Sequence, residues 1–155
     1  MQSESSNLAA WSKAVRESTL KRLRLVPAGR ENWRPIPRAM SIAGIAQHIA
    51  DADLWLFKKL EDPTLQAMKG CGAAQTIASH GEFLAIVSNL ERTGDKRSAL
   101  IRQLTPSELA QQIPDERFGG EVSVWWEIVR GNLDHETHHR GQLAAYLRIA
   151  LIVTA

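Results

Sequence analysis

An all-α fold, specifically a four-helix bundle, is predicted by three features of this 155-residue sequence. Four long segments repeat apolar residues at steps of three and four, the mark of a helix with one buried face. Prolines, glycines and capping residues sit at the ends of those segments. No stretch alternates long enough to read as a strand, and there is no internal repeat. The length suits one domain over 1–155 with a substantial core.

The first helix carries Leu8, Trp11 and Val15 at helical spacing and runs to about Val26, where Pro27 and Gly29 stop it. The run "WRPIPRAM" holds two prolines and reads as an extended linker. Ser41 caps the second helix, whose stripe is Ile42, Ile45, Ile49, Ala52 and Leu56, ending near Leu60. A loop follows from Pro63 to about Ala78. Ser79 with Glu82 three residues on is a capping-box signature for the third helix. Its stripe is Phe83, Val87, Leu90, Gly94, Arg97, Ile101 and Leu104. Arg97 either faces something polar or, the preferred reading, snorkels from that stripe to solvent. Thr105-Pro106-Ser107-Glu108 opens a short helix with proline in its first turn. Pro114 and Gly119-Gly120 break the chain, and the fourth long helix is expected from about Val122 to Ala150.

Composition excludes several classes. The net charge of +2, from 19 basic and 17 acidic residues, is too balanced to argue for nucleic acid. The basic excess before residue 38 reads as a solvated helix face. No apolar run approaches a membrane span, and "MQSESSN" lacks the apolar stretch of a signal peptide. The one cysteine, Cys71 in "KGCGA", allows no disulfide within the chain, so a cytoplasmic setting is expected and the thiol reads as a bystander.

Chemistry concentrates in "HETHHRGQL", His135 to Leu143, which also fits H-E-x-x-H literally. Residues four apart on a helix lie within about 40° of one another, so His135 and His139 share a face and can share a metal ion. His138 is turned about 60° to the other side. Trp125, Val129, Leu143 and Tyr146 mark the inward side, which His135, His139 and Gln142 continue. His48 lies within the apolar stripe of the second helix, between Ile45 and Ala52. Alone it reads as a core histidine hydrogen-bonded to a carbonyl or carboxylate. Beside an inward pair on another helix it becomes a third ligand candidate, since bundle metal sites are built from inward side chains on facing helices. Three neutral imidazoles suit zinc, nickel, cobalt or ferrous iron and leave a position for water or substrate. Gly141 inside a helix suggests close approach of another helix. Gln142 suits either a ligand-orienting or a packing role, and Glu136 and Asp134 are candidates for bonding an outer ring nitrogen, with a solvent-facing position preferred for both.

"SIAGIAQHIADADLWLF" followed at a distance by "DHETHHRGQLAAYLR" resembles the DinB-like superfamily of bacterial four-helix proteins, from about Trp11 to Arg148. The resemblance implies an up-down-down-up four-helix bundle, commonly a homodimer, with metal ligands at His48, His135 and His139. It further implies a metal-dependent enzyme acting on a small molecule by activating a thiol or water. Some members are transferases or isomerases that use a low-molecular-weight thiol, with zinc or nickel the expected metals. The alternative is a metal-binding, stress-related module without turnover. A zincin-type protease is the third reading, disfavoured because it needs a substrate-binding strand and leaves His48 without a role. Adjacent Trp125 and Trp126 point about 100° apart. One can fill the core and the other needs cover, which fits a homodimer.

Overall fold

The computed structural model describes residues 1–66 and 76–153. The expected loop containing Cys71 lies largely outside them. The described chain is mostly helical, with one small sheet. Helix α1 spans Glu4–Leu23, α2 Ile42–Glu61, α3 His80–Gln103 and the short α4 Pro106–Ala110. Strands β1 (Gln112–Asp115) and β2 (Gly120–Ser123) follow. The C-terminal helix is continuous but changes character, from a single α turn, α5 (Val124–Trp126), through a π-helical segment, Glu127–Leu133, to α6 (Asp134–Ile149).

Side-chain caps set the helix starts. Ser3, Ser41, Ser79 and Thr105 each accept the backbone N–H three residues on. At Thr105 the box is reciprocal, with Glu108 returning a bond to the Thr105 N–H. At Ser79 the return bond falls one residue early, the Ala78 N–H donating to Glu82 Oε2 at 2.9 Å. The linker before α2 is tied down by Glu31, whose backbone carbonyl accepts from Ala43 and whose carboxylate contacts Gly29 N and His80 Nδ1.

The all-α class holds broadly, and the hairpin adds a small sheet where no strand was expected. Pro114 and Gly119-Gly120 do break the helix, but the residues between them pair, with Ile113 opposite Val122 and Asp115 opposite Gly120. Gly119, at φ +80°, and Gly120, at φ +150°, take backbone conformations that favour glycine. Four-residue strands are too short for alternation to be visible in sequence. Val122 is consumed by this pairing, so the last helix starts at Val124, where Ser123 caps the Trp126 N–H at 3.1 Å.

Helices α1 and α2 each pack against both α3 and α6. Two apolar clusters result. One gathers Leu23, Ile42, Ile45, Ile49, Phe83, Leu90, Leu143 and Leu147. The other gathers Leu8, Leu56, Ile101, Ile113, Ile128 and Leu133. On every long helix the residues between these two sets are polar and buried: Ser12, Arg16 and Thr19 on α1, Asp53 on α2, Thr93 and Arg97 on α3, and Glu136 on α6. Lys59 is also buried. Its ammonium donates to the carbonyls of Pro63, Leu65 and Pro114, which fastens the chain after α2 to β1.

Gly94 belongs to this polar layer. A Cβ there would lie 2.6 Å from Arg16 Cγ. Gly94→Ala should therefore displace Arg16 and destabilise the fold by about 1–3 kcal/mol, the usual cost of overpacking. Urea denaturation of the variant against the native chain measures this.

Candidate metal centre

The structure brings together His48 from α2 and His135 and His139 from α6. His135 Nε2 lies 2.9 Å from His48 Nε2 and 3.1 Å from His139 Nε2, and the three facing nitrogens all fall within 4.8 Å of one another. Nitrogens bound to one ion at about 2.1 Å lie roughly 3.0–3.4 Å apart, so the spacing suits a shared cation. His138 is exposed, on the other side, as helix geometry predicts.

Proton bookkeeping points the same way. Gln142 Oε1 lies 2.7 Å from His139 Nδ1. The amide oxygen can only accept, so Nδ1 carries the hydrogen and the His139 Nε2 lone pair faces the cluster. One hydrogen on His135 Nε2 cannot lie along both its contacts, so at least one pair of facing nitrogens shares none. A cation resolves that conflict. Burial first, then the neighbouring imidazoles, pushes the His135 pKa down to about 3. Burial likewise lowers His48 and His139, against the opposing charge of Asp51 and the bond to Gln142 respectively. Three rings held neutral are three available ligands. Among the described residues the buried Nδ1 atoms of His48 and His135 have no hydrogen-bond partner, so neither ring is oriented by a bond at Nδ1.

Two expectations are corrected beside this cluster. Arg97 does not snorkel: its side chain is fully buried, because four inward polar groups satisfy it. It donates to Asp53 Oδ1 (3.0 Å), Glu136 Oε2 (2.6 Å), Asn132 Oδ1 (2.9 Å) and Ser12 Oγ (2.8 Å). Glu136 does not face solvent either. Arg16 grips it through Nε and Nη2, at 2.8 and 2.9 Å, and reaches Asp53 Oδ2 at 2.7 Å. Burial opposes ionisation of Glu136, but the two arginines outweigh it and hold the pKa near 2. A glutamate so engaged is not the free general base that a zincin requires. Asp134, by contrast, is partly exposed and pairs with Arg130. Gly141 is exposed, with nothing near the position of a Cβ, so it does not mark close helix contact.

The sequence reading missed Arg16 and Asp53. The signal was present: Asp53 is four residues beyond Ile49 on the inward stripe, and Arg16 is four beyond the buried Ser12. The π-helical segment also escaped it. There Asn132 donates to Ala52 O while accepting from Arg97, linking the last helix to α2 and α3. Gly131 makes room for Glu127, whose Oε1 would lie 2.5 Å from a Cβ.

A second carboxylate pair, Asp115 with Glu127, is bridged by Arg117, whose guanidinium stacks 4.4 Å from the Trp55 ring. Burial raises Glu127 to about 7, the bond to Asp115 adding to it and the Arg117 charge opposing. Asp115 is held near 2, burial being outweighed by the bonds from Arg117 and Glu127. Among the described residues the buried Glu127 Oε2 has no hydrogen-bond partner. A carboxyl whose pKa is raised by folding stabilises the fold below its unfolded value near 4.5 and loses that contribution as pH rises through 7. Subtracting the Glu127→Gln stability curve from the native one should show a loss on the order of 2–3 kcal/mol between those values. A flat difference curve would contradict the assignment.

Comparison with known proteins places these features in context. The model of the DinB superfamily matches residues 13–143. A crystal structure of a DinB-like protein from Bacillus subtilis is similar over 93% of this chain and 92% of its own, with a TM-score of 0.68 and 16% sequence identity. At that identity the likeness is one of fold. No curated protein matches the sequence.

Proposed function

The chain belongs to the DinB superfamily, and on that premise we propose that it is a metal-dependent enzyme whose His48, His135 and His139 hold one divalent ion, zinc or nickel. The observation that carries this reading is the convergence of three neutral imidazole nitrogens from two helices. When bound, such an ion lowers the pKa of a coordinated water or thiol and supplies a nucleophile at neutral pH. The chain's own contributions are specific. Gln142 fixes the His139 tautomer, burial keeps the rings unprotonated, and Glu136 is committed to Arg16 and Arg97. The reaction class that fits is transfer of a low-molecular-weight thiol to a small electrophile.

We read residues 1–155 as one domain with up-down-down-up topology. The two apolar clusters support this: one joins the C-terminal halves of α1 and α6 to the N-terminal halves of α2 and α3, and the other joins the opposite halves of α1, α2 and α3 to the helical segment that leads into α6. Homodimerisation is part of the proposal. Trp126 is 40% exposed while Trp125 packs partly into the core, which leaves one indole needing cover. Light scattering at micromolar concentration should give twice the 17.2 kDa chain mass. A monomer would refute the dimer and leave the metal reading intact.

Neighbouring histidines test the metal assignment. His139→Ala should reduce metal content to background and abolish any turnover found by screening electrophiles with several thiols. His138→Ala should keep both. Gln142→Ala should weaken binding by about 10- to 100-fold, as loss of a ligand's outer partner does. Elemental analysis of the variants, purified in parallel, reads the outcome. Equal loss for His138 and His139 would defeat the assignment. Full metal occupancy with no turnover across the screen would favour the non-catalytic module.

A further inference from the structure

The two metal-bearing helices each carry one carboxylate of the buried polar layer. Asp53 follows His48 by five residues on α2, and Glu136 adjoins His135 on α6. Both arginines touch both carboxylates. Arg16, from α1, reaches Asp53 Oδ2 at 2.7 Å and Glu136 Oε1 at 2.8 Å. Arg97, from α3, reaches Asp53 Oδ1 at 3.0 Å and Glu136 Oε2 at 2.6 Å. Thr93 adds a hydroxyl bond to Asp53 Oδ2 at 2.7 Å. A slide of α2 along α6 by an ångström would lengthen several charge-assisted bonds at once, in a place where water cannot replace them.

The histidines need such a reference. His139 is held by Gln142, but among the described residues His48 and His135 have no partner at Nδ1. Nothing local fixes those two rings, so their spacing follows the placement of the helices that carry them. We propose that Asp53 and Glu136, bridged by Arg16 and Arg97, are positioning residues for the three-histidine site, setting the register of α2 against α6 and thereby metal affinity and geometry. The inference rests on the metal reading above.

Cobalt(II) is the probe, because its visible absorption reports ligand geometry independently of activity. Arg97→Lys keeps the charge but loses the Nε and Nη2 bonds to Ser12 that aim Nη1 at the two carboxylates. It should bind cobalt about 10-fold more weakly than the native chain, as loss of outer-shell support does elsewhere, with an altered spectrum. Thr93→Val, nearly isosteric, should weaken binding in the same direction by a smaller factor, and provides the reading should Arg97→Lys not fold. Ile113→Ala removes a buried side chain of the other cluster's hairpin. It should lower the melting temperature yet keep native affinity and spectrum. Native binding by the folded network variants, or equal loss in Ile113→Ala, would overturn the inference and leave the metal reading standing. Failure of the native chain to take up cobalt would overturn both.

Discussion

Two arginines and two carboxylates, all buried, sit between two apolar clusters and neutralise one another, and the rest of the fold is arranged around that constraint. Each charge comes from a different long helix: Arg16 from α1, Asp53 from α2, Arg97 from α3 and Glu136 from α6. Desolvating a single ion costs several kcal/mol, so no member is tolerable without the others, and losing one partner of a buried pair typically costs about 3–5 kcal/mol. Replacing the whole set by well-packed apolar residues is frequently neutral for stability. The layer is therefore better understood as a device for specificity. An apolar interface can slide by a turn at modest expense; a four-way set of directional bonds cannot.

That constraint extends to the residues beside it. Gly94 is small because Arg16 passes over it. Asn132 sits in the π-helical segment, whose wider turn alters the faces presented before and after it, and it bonds both Arg97 and the α2 backbone. Beyond it the helix resumes as α6 and presents Glu136 to the arginines and His135 and His139 to His48. Acid and imidazole at adjacent positions thus serve different purposes. Glu136 is held ionised by two cations, while His135 is held neutral by burial and by its imidazole neighbours.

The H-E-x-x-H string shows how far a motif depends on its surroundings. In a zincin the glutamate must be free to handle a proton beside the metal. Here the two histidines of the string do converge with a third, but the intervening glutamate is engaged by Arg16, Arg97 and Thr19. The same letters therefore supply ligand candidates and a structural ion, without the protease's base. The hairpin and Lys59 form a second, separate tie, joining the end of α2 to the start of the last helix through Pro114 and Asp115.

What the sequence by itself determined is whatever depends on local periodicity and capping. Three of the long helices and the short α4, the caps Ser41, Ser79 and Thr105, the inward face of His135 and His139, the outward face of His138 and the inward position of His48 all follow from 3.6-residue spacing and turn chemistry. What only the tertiary structure decided is the fate of polar residues at inward positions. Arg97 stood in its stripe and Arg16 counted as surface charge, because one helix viewed alone offers a buried cation no partner but solvent. Their carboxylate partners lie 37 to 120 residues away in the chain, and only packing brings them within hydrogen-bond reach. The same holds for the π-helical segment and the hairpin. In the first, Asn132 bonds Arg97 and Ala52 O, and in the second, Ile113 joins the apolar cluster of Leu8 and Leu56; a local pattern carries no record of a contact made between elements.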